Sequence, residues 1–538
     1  MTIKQDYKAI AQGKREQRDS LIPSEWRIES PSKAVQNVLD LPAKCGLLSS
    51  KELTITSDHD AVDLLENIRT KKYSAEEVTR AFCKRAAIAQ QLTNCLTEIF
   101  FDEAIERAKI LDREQAANPN LPLRPLHGLP ISIKDSFRVP GVDSTTGLIC
   151  WANEPDTLYS SLPRLLLDLG AVLYCKTNVP QTMMTADSDN NVFGRTLNPN
   201  NLTLTAGGSS GGEGALIALR GSLLGVGTDI AGSIRIPSIC NGIYGFRPSA
   251  SIVPYGGQRS PAPAGIPGIS PVAGPMVTSL RSCTYFMKTI MEAQPWRYDP
   301  ACLHRPWTGQ LAAQKLRIGV VSRDGLFTPW PPVRRNIAES ARKLGDAGVE
   351  IVNLSLPDVG EAVDTIMRMF SLDGSKFIQN LLASGGEPEV RSVRNINLAG
   401  IPSANLEDYF KLNAARSRIQ QVYHNLWLDN RLDAIVLPPA PTTATPLDQW
   451  GPISYTALWN LLDYPAVIIP TGKVQPVDEA DSVEHAIHGE RDRRNYQLYT
   501  GPTEFANAPL AVQVVGMKQE DEELTQVAAV IDKILNST

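Results

Sequence analysis

Histidine is the scarcest reactive residue in this chain. Only six occur in 538 residues: His59, His127, His304, His424, His485 and His488. Any mechanism built on an imidazole must draw on those six. An excess of charge of one sign is also missing: 53 Lys and Arg stand against 58 Asp and Glu, a net charge of −5. That balance leaves no basic footprint for nucleic acid. No stretch approaches the roughly 18 consecutive apolar residues of a membrane span. The best candidate, Leu165 to Cys175, is broken by Asp168, so no integral membrane association is expected. The eight cysteines form no CxxC pair, and none stands at zinc spacing from a histidine. The opening, Met1-Thr-Ile-Lys-Gln-Asp, has no apolar signal region. A reducing, cytoplasmic compartment is therefore expected rather than four disulfides.

Hydrophobic residues make up 42% of the chain, enough for a sizeable core. The length suits three or four domains of usual size, or one large α/β core. The first fifty residues are interrupted by Pro23, Pro31 and Pro42 and predict an extended arm over the surface. Ser74 with Glu77 forms a capping box ahead of Val78, Ala81, Phe82 and Ile88 at helical spacing. A second amphipathic helix is predicted over 101–116, then a short strand over 129–134. Helices and apolar strands alternate from there. Helices are predicted at 160–169, 212–220, 332–345 and 520–535, and strands at 171–175, 223–226, 317–321, 349–352, 433–437, 465–469 and 510–515. Such alternation predicts an α/β fold with a large, mostly parallel sheet covered on both faces. The Pro- and Gly-rich stretch 251–280 and the charged stretch 474–496 read as loops inside one fold.

Residues 207–214 read Gly-Gly-Ser-Ser-Gly-Gly-Glu-Gly. A flexible turn is the simplest reading of such a cluster. A P-loop would need a Lys that is absent, and the GxGxxG spacing of a dinucleotide site is not met. The sequence does match GxSxG at Ser209, and again at Ser210, as a nucleophile elbow would. That reading needs an acid and then a downstream histidine, for which only His304, His424, His485 and His488 remain, and each is more simply read as a satisfied surface residue. A second segment, Gly227-Thr-Asp-Ile-Ala-Gly-Ser-Ile-Arg-Ile-Pro237, follows across a helix and a strand. Lys134 lies upstream in Gly128-Leu-Pro-Ile-Ser-Ile-Lys-Asp135.

Together these segments resemble the amidase signature family of Ser-Ser-Lys amidohydrolases. The resemblance runs from about residue 74 to the C-terminus and is closest to fungal acetamidase-like general amidases. Glu213, where many bacterial members have Ser, belongs to that pattern and to the animal fatty-acid amide hydrolase pattern. The resemblance implies one large mixed sheet flanked by helices, so residues 57–538 read as a single domain and 1–56 as a peripheral arm. It implies Ser233 as nucleophile, Ser209 as the bridging serine after a cis peptide at Gly208, and Lys134 as base. The backbone amides of Ile230, Ala231, Gly232 and Ser233 would form an oxyanion hole. Here the sequence departs from the commoner Gly-Gly-Ser; Ala231 would strain the hole if its φ had to be positive. Met183 would line the acyl pocket, although a Met filling a core gap is an equal reading. Asp229 and Arg235 are expected to pair structurally, and Cys240 to be buried and inert.

The residue chemistry suits those roles. A serine hydroxyl needs a base to become a nucleophile, and a lysine can be that base near neutral pH only if desolvation lowers its pKa. The expected reaction cleaves a small-molecule carboxamide to an acid and ammonia or an amine, with no metal or organic cofactor. An ammonia-transferring amidotransferase subunit and a non-catalytic scaffold of the same fold are the alternatives. A homodimer is a family-level expectation.

Overall fold

The computed structural model describes residues 6–29, 32, 34–120, 122–266, 268–309 and 315–537. Among them, eleven strands join in one sheet. In chain order they are β1 (Leu96–Ile99), β2 (Pro130–Lys134), β3 (Val172–Thr177), β4 (Leu224–Asp229), β5 (Tyr244–Arg247), β6 (Val272–Val277), β7 (Arg317–Val320), β8 (Glu350–Asn353), β9 (Ala434–Leu437), β10 (Ala466–Lys473) and β11 (Pro509–Val515). Their order across the sheet is β1-β3-β2-β4-β6-β5-β10-β11-β9-β7-β8. The sheet is mixed, as expected. Parallel pairing is grouped in two blocks, β3-β2-β4 and β9-β7-β8. The ladder between the blocks and the β1 edge run antiparallel. The parallel character read from the alternating pattern is thus that of the flanking blocks, where helices cross over between strands.

Period-two alternation divides the strands between two layers. Ile131 and Ile133 of β2, Leu224 and Val226 of β4 and Val512 and Val514 of β11 enter one large core, with the helices Leu280–Glu292 and Asp521–Asn536. On β3, Leu173 joins that core, while Val172 and Tyr174 face a second one with Ala86, Ala89, Ala215 and Leu216. Ser132 and Lys134 alternate with Ile131 and Ile133, which directs them away from the first core. The helix Gly211–Ala218 packs against β2, β3 and β4 and covers them there.

The predicted helices and strands recur within a few residues of their expected ends. The capping box at Ser74 and Glu77 opens the helix Ala75–Thr93. Three expectations are corrected. Tyr7–Ser20 is a helix and not an extended arm. It is anchored by Lys14, which is buried between Glu98 (2.7 Å) and Asp143 (2.8 Å), and by Arg18, which donates to the Leu96 carbonyl at 2.9 Å. Pro31 lies outside the described residues. Within 251–280 lies β6, paired with both β4 and β5 although it contains Pro275, a residue that ordinarily argues against an inner strand. Within 474–496 lies the helix Glu490–Tyr496. Strand β1 also escaped the apolar pattern, because Thr97 and Glu98 are buried with polar partners of their own. No helix among the described residues is long and apolar enough to cross a membrane.

Candidate active site

Lys134 ends β2 with its ammonium fully buried. Its Nζ lies 2.6 Å from Ser209 Oγ and 2.7 Å from Thr228 Oγ1. Ser209 sits at the entry to the helix Gly211–Ala218, and the peptide bond between Gly208 and Ser209 is cis. The next residue ties this turn to the second motif, since the Ser210 amide donates to the Ser233 carbonyl at 3.2 Å. Ser209, Ser233 and Thr228 all line one cavity. Segments far apart in sequence therefore converge on one spot.

Burial pushes the Lys134 pKa down to about 7, against Asp229, Glu213 and Asp135, which favour its charged form. An amine so placed can take a proton near neutral pH. Glu213 lies behind it. Burial pushes this carboxyl up to about 7, opposed by the hydroxyls of Ser132 (2.6 Å) and Thr177 (2.9 Å) and by Lys134. Room for Glu213 depends on Gly225, where an added Cβ would land on the carboxylate and 2.6 Å from Ser132 Oγ. Gly225→Ala should cost about 1–3 kcal/mol by overpacking; urea unfolding measures it, and an unchanged midpoint would refute this account.

The loop after β4 is shaped by Asp229. Burial alone would raise its pKa, but Arg235 and Asn460 hold it well below the usual carboxylate range. Arg235 donates to both oxygens at 3.0 Å, so the two pair as expected. The same carboxylate accepts the amides of Gly232 (2.8 Å) and Ile234 (3.1 Å). The Gly232 N–H is thereby removed from the expected set of oxyanion donors. The amides of Ile230, Ala231 and Ser233 donate to no acceptor among the described residues. The positive φ of this loop falls on Gly232, at 131°, and not on Ala231. Ala231 therefore escapes left-handed strain, while a side chain at residue 232 would meet Thr456 Cβ at 2.8 Å.

The cavity measures about 250 Å³ and is largely apolar. Met183, Met184, Ile230, Met369, Phe370 and Phe377 line it, together with residues 260–263 of the Pro-rich stretch read as a loop. No histidine lines it, so neither His424 nor His488 is placed to serve Ser209 there. Cys240 is buried, and burial pushes its thiol well up. Thr228 and the walls at 369–378 escaped the sequence reading. Thr228 carries no motif of its own, and the walls come from helices more than a hundred residues downstream of Ser233.

Known proteins resemble this chain along nearly its whole length. The family model described as Amidase matches residues 77–525. An amidase of Gibberella moniliformis is 36% identical over 544 residues, spanning 99% of this chain and 99% of that protein. An acetamidase of Emericella nidulans is 36% identical over 548 residues, again spanning 99% of each. A solved structure of a fatty acid amide hydrolase superposes with a TM-score of 0.94 at 31% identity, covering 99% of this chain and 95% of that one. On these matches the chain belongs to the amidase signature family of amide-bond hydrolases.

Proposed function

We propose that this protein is a serine amidohydrolase that cleaves a carboxamide through an acyl-Ser233 intermediate. The observation that carries the reading is the buried Lys134 amine, 2.6 Å from Ser209 Oγ in a cavity shared with Ser233. Neutral Lys134 takes the Ser209 proton while Ser209 takes that of Ser233, because a hydroxyl both donates and accepts. Ser233 Oγ attacks the amide carbon, and the oxygen that becomes negative is held by the free amides of Ile230, Ala231 and Ser233. Each such donor contributes roughly 2.7–4 kcal/mol in a dry site. The proton returns through Ser209 to the departing nitrogen, and water then cleaves the ester by the same relay. Similarity to the Emericella acetamidase supports small aliphatic amides as substrates, and the apolar walls favour acyl groups larger than acetyl. Eight free thiols support a cytoplasmic setting.

The purified chain alone should release ammonia from primary amides, which separates this reading from an amidotransferase subunit that needs a partner. The pH dependence carries a definite sign. Protonated Lys134 cannot act as base, so kcat/KM should fall about tenfold per pH unit below the midpoint and level off above it. The midpoint should lie near 7, where burial places Lys134. It belongs to Lys134 and Glu213 together, since each ionisation acts on the other. A flat profile from pH 5 to 9 would exclude Lys134 as base.

A further inference from the structure

The cavity that holds Ser209 and Ser233 does not end the open space around it. A second cavity of about 260 Å³ shares Thr182, Met184 and Ile378 with it as lining. The two differ in character. The first is walled mostly by Met, Ile, Phe and Pro side chains. The second carries Thr185, Ser375, Gln379 and Asn397, with one acid, Glu389, and one base, Arg394. Its charges offset, so it offers hydrogen bonds without a net field. An uncharged hydrogen-bonding group suits a lining in which one acid and one base leave no excess charge for an ionic ligand.

Thr182 stands on the shared wall and is unusual in two independent ways. It is 1% exposed, and its hydroxyl has no hydrogen-bond partner. Buried hydroxyls rarely lack one, since the loss costs roughly 1–3 kcal/mol. Its backbone is also left-handed, with φ 69°, and Met183 follows at φ 57°. Two successive non-glycine residues in that region, the first β-branched, are costly and tend to occur where function requires them. Ser375 (φ 58°) and Asn397 (φ 50°), across the second cavity, share the same conformation.

We propose that the substrate is a two-part amide. An apolar segment fills the serine cavity, and an uncharged hydrogen-bonding group, a hydroxyl or carboxamide, passes Thr182 into the second cavity. Thr182 Oγ1 bonds to that group at the wall, which makes Thr182 a specificity-determining residue. This inference rests on the amidohydrolase reading, because the apolar segment must present its amide to Ser233.

The test uses the full chain and two matched series: linear aliphatic primary amides of graded length and their ω-hydroxy counterparts. Above the length that reaches past Thr182, the hydroxylated member should be preferred by about tenfold in kcat/KM, the worth of one well-placed hydrogen bond. Thr182→Val keeps the shape and should bring that ratio close to one. Gln379→Leu, at an exposed position lining the second cavity, should lower the ratio as well. A ratio near one at every length in the unmodified protein overturns the inference while leaving the amidase reading intact. So does a Thr182→Val variant that slows both series equally, which marks a merely structural role. If neither series is turned over and a fluorophosphonate leaves Ser233 unlabelled, the underlying reading falls, and this inference falls with it.

Discussion

Ser233→Ala should lower kcat by about 10⁵–10⁶-fold, the scale of losing a nucleophile that acts as part of a unit. The physical reason is that no other hydroxyl can replace it. Ser209 is already hydrogen-bonded to Lys134 and is 2% exposed, whereas Ser233 is half-buried at the cavity wall. The fold should hardly change. The groups that fix this loop are Asp229, Arg235 and the backbone of residues 232–234, and Ser233 itself accepts the Ser210 amide through its carbonyl. The informative combination is therefore an unchanged thermal melt, lost turnover, and lost labelling by a fluorophosphonate. Labelling that persists in the Ser233→Ala variant and maps to Ser209 or Ser210 would reassign the nucleophile to the GxSxG reading.

Lys134→Met is the second large effect. Loss of a general base typically costs 10²–10⁴-fold, and the remaining rate should have lost the acid limb expected near pH 7. Stability should move the other way. Burial lowers the folded-state pKa of Lys134 from 10.5 to about 7, so between those values the unfolded chain binds more protons than the folded one. A buried ammonium therefore penalises the native state fully below pH 7, and the penalty is lifted as pH rises towards 10.5. Met fills similar space without a charge, so the variant should be at least as stable as the parent at pH 6, with the difference shrinking as pH rises. Urea midpoints at pH 6 and pH 9 check this. A variant much less stable at pH 6 would show that the amine holds the site together rather than being tolerated by it.

Much of the molecule could be read along the chain. The capping box at Ser74, the alternation of Ile131 and Ile133 with Ser132 and Lys134, and the apolar strands near 172, 224 and 512 are local patterns, because backbone periodicity and side-chain polarity express them within a few residues. Ser209 and Ser233 stand in segments rich in Gly and small residues, as turns that pass close to other backbone do. Lys134, by contrast, ends an apolar strand and is singled out, like the roles of all three, only by the family resemblance. What could not be read locally involves partners far apart in sequence. Strand β1 hides its burial in a Glu98–Lys14 pair. In β6, Pro275 stands opposite Val226 of β4 but beyond the β5 ladder, which pairs only Met276 and Val277, so its missing N–H is not needed on that side.

The oxyanion loop shows the division at the scale of single atoms. From the sequence, the resemblance pointed to four successive amides, those of residues 230–233, as oxyanion donors. Only the tertiary structure decided that the Gly232 N–H turns back to Asp229, because the carboxylate that claims it is itself held by Arg235 and by Asn460, a residue some 225 positions downstream. The scarcity of histidine, likewise visible from the start, accords with the lysine base that the resemblance implied: in the fold an amine rather than an imidazole stands beside Ser209. Lysine can stand there because folding, and not the residue type, sets its pKa through burial.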